Sequence, residues 1–284
     1  MIIYIASYPR SGNSLTQQTI QTFFERPMTV VYGGSRKPET YASGAVNFIK
    51  NWRWPKDKTI SKSLWGKLHA QINKNNLEKW IALYDLNVPP YTKDCRYLLP
   101  GCLSVLTPKN RQKLAAEESP FFIKTHELPY QEYFEGEYVI LPVRHPGSVL
   151  WSYFNFIKDF WQDVKTLDEV IRGEVTFGSW SEWYQSWNQV IPSLTLNDRL
   201  LRLRFEDVLA DRRRACQQIK ALISLDYNPS KQELSFEELH KKDPQHIRSG
   251  KANGWEKYYT ENQLSLLWEL HSATMQQFGY EMPK

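Results

Sequence analysis

No stretch of this sequence is both long and free of charge, and its mean hydropathy is −0.56, so it offers no candidate for a transmembrane helix. Cysteine is scarce: Cys95, Cys102 and Cys216 are the only three in 284 residues. Their spacings fit no metal motif and their odd number leaves one unpaired, which argues against a disulfide framework and for a reducing, cytoplasmic setting. The apolar run Met1–Ile5 is too short for the core of a signal peptide and has no basic segment before it. No internal repeat and no low-complexity segment is present.

What the sequence does have is enough length to bury a substantial core and a modest positive charge. Thirty-six Lys and Arg against 31 Asp and Glu leave +5, with an isoelectric point near 8.9, so anionic partners are admissible. The basic residues are dispersed, and the one short run, Arg212–Arg214, reads as a solvated helix face. A nucleic-acid surface would concentrate them on one face. The expected partner is a small polyanion, with neither nucleic acid nor membrane involved.

Periodicity gives the architecture. Ile2–Ala6 is a β-prone run that ends in Ser7-Tyr8-Pro9-Arg10-Ser11-Gly12, and Leu15, Thr19, Ile20, Phe23 and Phe24 then follow at helical spacing. The same form returns at Glu137–Val143 (strand), Arg144-His145-Pro146-Gly147 (turn) and Ser148–Lys158 (helix). Further strands are expected at Pro120–Lys124 and Leu200–Phe205, the latter followed by a helix over Val208–Leu222. Trp180, Trp183, Tyr184 and Trp187 share one helical face and read as core, and Glu261–Phe278 reads as a packed terminal helix. Strands alternating with helices predict an α/β fold: a single domain over residues 1–284 with a mainly parallel central sheet flanked by helices. Ligands bind such sheets at the carboxyl ends of the strands, where the polar turns fall. Residues Val31–Glu118, rich in Lys, Asn, Pro and Trp, read as a long inserted lid.

The first strand–loop–helix, Tyr8 to Leu15, is P-loop-like. Free N–H groups and the macrodipole at a helix start hold anionic oxygens. Gly12 admits close backbone approach, Arg10 adds a cation, and Asn13 and Ser14 add donors. The alternative is an ordinary βα turn in which Ser or Asn caps the helix. It is not a Walker A loop, which needs two glycines followed by Lys-Ser/Thr. No Asp closes the strand before Arg144 either, so the site is read as holding an anion without a metal.

Four segments resemble the sulfotransferases that use 3′-phosphoadenosine 5′-phosphosulfate (PAPS). Tyr8-Pro9-Arg10-Ser11-Gly12-Asn13-Ser14-Leu15 is similar to that family's 5′-phosphosulfate loop, and Lys124-Thr125-His126 to its Lys-Thr-His segment. Arg144-His145-Pro146 with Ser152-Tyr153-Phe154 resembles its 3′-phosphate site, and Arg248-Ser249-Gly250-Lys251-Ala252-Asn253-Gly254-Trp255 its late Arg-Lys-Gly and Gly-Asp/Asn-Trp loop. There are departures: Arg10 stands where many members have Lys, Ser249 where Lys is usual, and Phe205 where a Tyr is often found.

The resemblance implies a PAPS-dependent enzyme, with PAP as product and no metal, that moves a sulfuryl group to a hydroxyl or amino group of a small molecule such as a toxin or alkaloid. It implies catalytic roles for His126, Lys124 and Arg10. It implies donor contacts from Arg10, Ser11, Gly12, Asn13, Ser14 and Leu15, and from Arg144, Ser152, Phe205, Arg248, Ser249 and Gly250. An imidazole with a pKa near ~6.5 is suited to take the acceptor's proton at neutral pH. His69, His240 and His271 read as structural, and Trp52 or Trp54 as possible adenine-stacking residues. A metal-dependent P-loop kinase and a non-catalytic nucleotide-binding module are the competing readings, and the sequence leaves oligomeric state open.

Overall fold

The computed structural model describes residues 1–26, 28–30, 111–112, 115–116, 118, 120–126, 128–161, 165–233, 235–242 and 254–281. The lid expected over Val31–Glu118 falls almost wholly outside them, as do His69, Trp52, Trp54, Cys95 and Cys102. The strands are β1 (Ile2–Ala6), β2 (Met28–Val30), β3 (Phe121–Thr125), β4 (Glu137–Val143) and β5 (Leu200–Arg204). They form one five-stranded sheet in the order β2-β3-β1-β4-β5. β1 runs parallel to both β3 and β4, and β2 parallel to β3, so the predicted mainly parallel α/β sheet is observed. β1, the middle strand, is buried at all five positions. A strand covered on both faces has no polar side to show, which is why its sequence is a continuous apolar run.

The chain divides into two compact units. Met1–Ser7, Arg26–Leu141 and Trp187–Leu201 make the first; Tyr8–Glu25, Pro142–Ser186 and Arg202–Lys284 make the second.

The first unit carries a buried polar knot at the start of β4. Arg111 donates to both carboxylate oxygens of Glu137, from Nε at 2.8 Å and Nη2 at 2.6 Å. The Tyr4 hydroxyl donates to Oε1 at 2.7 Å and the Phe134 N–H to Oε2 at 2.8 Å. Arg111 also donates to the Glu132 carbonyl and lies 3.5 Å over the Tyr130 ring. Burial works against the Arg111 charge, but the hydrogen bonds of Glu137 outweigh it and the guanidinium pKa is raised.

The second unit is mostly helical, with α1 (Asn13–Phe23), α2 (Pro146–Phe156), α3 (Leu167–Arg172), α4 (Trp180–Trp187), α6 (Phe205–Ala210), α7 (Arg212–Ile223), α8 (Phe236–Lys242) and α9 (Glu261–Gln277). α5 (Ile191–Leu196) belongs to the first. Trp180, Trp183, Tyr184 and Trp187 are all buried, as their spacing predicted. α2 begins at Pro146, two residues earlier than expected, because proline suits the first helical position and the preceding His145 accepts the Gly147 N–H at 3.2 Å. It continues past Phe156 as a π-helical turn, Ile157–Trp161. The helix expected over Val208–Leu222 is two helices. Asp211 between them is extended (φ −148°, ψ 91°) and its carboxylate caps α7 by accepting the Arg214 N–H. The Arg212–Arg214 run is only partly a solvated face, since Arg212 pairs with Glu233 at 2.9 Å while Arg213 and Arg214 are exposed. Cys216, inside α7, is a buried thiol whose pKa burial pushes up to about 12.

His271 of α9 has the structural role read from the sequence. It is fully buried, its Nδ1 accepts the Ser181 hydroxyl at 2.8 Å, and its Nε2 donates to the Ile171 carbonyl at 3.0 Å. Burial lowers its pKa from 6.5 to about 4.

Two stability experiments follow. Glu137→Leu strands the Arg111 charge and is expected to cost about 3–5 kcal/mol in urea unfolding, whereas the double variant with Arg111→Met recovers most of that loss; equal losses would show the pair itself to be stabilising. The unfolded chain protonates His271 near pH 6.5 and the folded chain only near 4. The unfolded state therefore takes up more protons as pH falls across that window, and the contribution of His271 to stability drops by about 3 kcal/mol. His271→Asn should flatten the decline in unfolding free energy between pH 7 and pH 4, and an unchanged slope would assign it to other groups.

Candidate active site

The loop after β1 is shaped by two left-handed residues. Arg10 has φ 69° and Gly12 φ 105°. A non-glycine residue in that region is strained and persists only where its surroundings enforce it. Tyr8 supplies part of that enforcement: it is buried, donates to the Gly178 carbonyl at 2.9 Å, and meets Tyr153 and Trp183 edge-on. Gly12 is the residue before α1. No side chain caps this helix, and no acidic residue lies in its first turn. The capping position is thus a glycine and not the Ser or Asn of an ordinary βα turn. In that stretch Ser11 and Asn13 are buried, Leu15 half-buried and Ser14 exposed.

The same unit gathers other sequence-predicted residues around the loop. Arg10 Nε donates to Ser152 Oγ at 3.0 Å, and its guanidinium sits 5.3 Å over the Phe156 ring, one helical turn further along α2. A Cβ on Gly12 would come within 3.0 Å of the Phe205 ring. On Phe205, in turn, lies the Arg144 guanidinium, 4.2 Å from the ring centroid. Gly12, Phe205 and Arg144 thus form a row. Burial lowers the Arg144 pKa, opposed by Glu206 and Tyr280.

Two segments more than 100 residues apart in sequence meet at the next turn. The Trp255 ring stacks on His145 at 4.6 Å and 25°, and an atom added at Gly147 would collide with it at 2.3 Å. Tyr259 closes the joint by donating to the Gly147 carbonyl at 2.7 Å. Arg248, Ser249 and Gly250, just before this segment, lie outside the described residues. Glu206 and Tyr280 received no role in the sequence reading. Glu206 accepts the His145 N–H through one oxygen (3.2 Å) and the Tyr280 hydroxyl through the other (2.7 Å). A Glu directly after Phe205 was the available signal for the first; nothing local marked Tyr280.

Lys124 and His126 belong to the first unit, at the carboxyl end of β3. Lys124 is in register with Ile5 of β1 and is half-buried. His126 follows the strand, with Nδ1 2.7 Å from the Ser7 carbonyl. A carbonyl only accepts, so Nδ1 carries the hydrogen and Nε2 the lone pair in the neutral ring. That is the tautomer a general base requires at Nε2. Among the described residues, no group of three or more His, Cys, Asp or Glu is gathered to hold a metal ion, and no helix is long and apolar enough to cross a membrane.

A family model described as "Sulfotransferase domain" matches residues 2–279. Among solved structures, a mouse sulfotransferase complexed with PAP superposes with a TM-score of 0.57 at 17% identity, over 97% of this chain and 84% of its own. Retinol dehydratase in complex with retinol and PAP gives 0.52 at 16% identity, over 99% and 83%. At these identities the likeness concerns the fold. A search of curated protein sequences finds no match.

The joint between Trp255 and Gly147 can be tested by one methyl group. Gly→Ala inside a helix ordinarily stabilises by up to about 1 kcal/mol. At Gly147 the sign should reverse, with a loss of about 1–3 kcal/mol as the indole is forced off the turn. Urea unfolding followed by tryptophan fluorescence reads both changes, and a stabilised variant would mean that the ring has room to move.

Proposed function

The chain belongs to the sulfotransferase family, and from that premise we propose that it transfers a sulfuryl group from PAPS to a hydroxyl or amino group of a small molecule. The observation that carries the donor assignment is the row Gly12–Phe205–Arg144 beside a helix start whose capping residue is glycine. It provides backbone donors and fixed guanidinium groups suited to a nucleotide with two separate anionic ends. The PAP held by the mouse sulfotransferase and by retinol dehydratase supports the same donor.

In this reading the acceptor oxygen or nitrogen attacks sulfur in line as the bond to the 5′-phosphate oxygen breaks. Its proton passes to Nε2 of His126, and PAP departs. The hydrogen bond from Nδ1 to Ser7 holds the imidazole in the competent tautomer and stabilises the imidazolium that forms. Arg10 and Lys124 offset the charge that develops on the transferred group and on the leaving oxygen. The N–H groups of Ser11 to Leu15 take the 5′-phosphosulfate. Arg144 and Ser152, with Arg248, Ser249 and Gly250, take the 3′-phosphate, and Phe205 borders the adenosine. The donation from Arg10 to Ser152 supports a mechanical link between the two phosphate sites.

Retinol dehydratase binds a small apolar alcohol alongside PAP, which supports a small-molecule acceptor here, a natural product such as a toxin or alkaloid among them. The scarce, odd-numbered cysteines argue for a reducing, cytoplasmic setting and the dispersed basic residues against a nucleic-acid partner. Residues Val31–Glu118 are assigned the choice of acceptor.

Incubation with labelled PAPS and a panel of phenols, sterols, alkaloids and amines tests the activity, and failure to consume PAPS with any of them would count against it. His126→Ala is expected to bind PAP normally while turnover falls by about 10²–10⁴-fold, the usual worth of a general base. Turnover close to that of the unaltered enzyme would move the base to another group.

A further inference from the structure

We infer that Glu206, held by Tyr280, is the positioning residue for the arginine that takes the 3′-phosphate. The inference rests on the assignment of Arg144 to that phosphate.

The geometry is a short relay that starts near the end of the chain. Tyr280 donates its hydroxyl to Oε2 of Glu206 at 2.7 Å. Oε1 of the same carboxylate accepts the backbone N–H of His145 at 3.2 Å. His145 is the residue after Arg144, so this bond fixes the backbone from which the Arg144 side chain projects. The residue before Glu206 is Phe205, whose ring supports the Arg144 guanidinium. One dipeptide, Phe205-Glu206, therefore holds the arginine by its side chain and by its backbone.

Tyr280 is itself held from two sides. The Arg204 guanidinium lies 4.6 Å over its ring, and the His145 imidazole meets it edge-on at 5.2 Å. The next residue, Glu281, faces the outer nitrogen of His145 with its carbonyl at 3.4 Å. Burial and the adjacent Glu206 carboxylate raise the Tyr280 pKa, so the phenol remains a donor at every pH the enzyme meets. Glu206 has a second effect through its charge, since it favours the ionised Arg144 that burial disfavours. A buried cation kept company by a carboxylate is ready for an anion without first being stranded.

A group that only stabilised the fold would affect every ligand alike, whereas a group that aims Arg144 affects only ligands with a 3′-phosphate. PAP and adenosine 5′-monophosphate differ by that phosphate alone, so their dissociation constants measured by titration calorimetry separate the cases. Tyr280→Phe is expected to weaken PAP roughly tenfold, the worth of one hydrogen bond to a charged group, while adenosine 5′-monophosphate changes less than about twofold. Glu206→Ala should weaken PAP further, and Glu206→Gln, whose oxygen can still accept the His145 N–H while its amide donates to the Tyr280 oxygen, should restore part of the loss. Equal effects on the two nucleotides, or none, in Tyr280→Phe would overturn the relay. Arg144→Ala, run beside it, reports on the underlying assignment. If that variant loses PAP selectively and Tyr280→Phe does not, only the relay fails; if Arg144→Ala affects both nucleotides equally, the assignment of Arg144 fails.

Discussion

The buried carboxylate of Glu137 is the constraint on which the sheet depends. It is the first residue of β4 and accepts hydrogen bonds from Arg111, Tyr4 and Phe134. A charge taken out of water must be met at nearly every lone pair, and this geometry leaves little freedom in where β4 begins. Glu137 lies in register with Ile2 of β1, so fixing it fixes the relative level of the two strands. A slip of one residue would turn every side chain to the other face.

Much of this was readable in the sequence, and the reason is physical. β1 was found with its observed bounds because a strand covered on both faces is apolar throughout, and β4 because a mostly apolar run ends where a polar turn begins. The tryptophan stripe of α4 was read as core from its spacing alone. Local chemistry also decided the errors. Periodicity carried the expected helix across Asp211, where a side-chain cap instead starts a new one. Phe205 was read as the end of β5, yet it opens α6, with its ring under Gly12.

What the sequence could not show were partnerships across long stretches of chain. The glycine, arginine, serine and histidine residues of the candidate site announced themselves by motif. The contacts that hold them did not: Arg10 on Ser152, Trp255 on His145, and Tyr280 through Glu206 to the turn after β4. Each joins residues more than 60 positions apart, and none leaves a periodic trace. His126 shows the division well. Its residue type suggested a base, but only its contact with Ser7 says which nitrogen carries the lone pair.

The stacking of Arg144 on Phe205 has a thermodynamic consequence. A free arginine side chain surrenders about 2 kcal/mol of rotamer entropy when a ligand immobilises it. Here the guanidinium already lies against the Phe205 ring, 4.2 Å from its centroid, so part of that entropy was lost when the chain folded. An anion arriving at this turn meets a side chain with few orientations left to lose, and more of the gross attraction survives as affinity. The same economy sets the pace of departure, since a rigid cation gains little freedom when its ligand leaves.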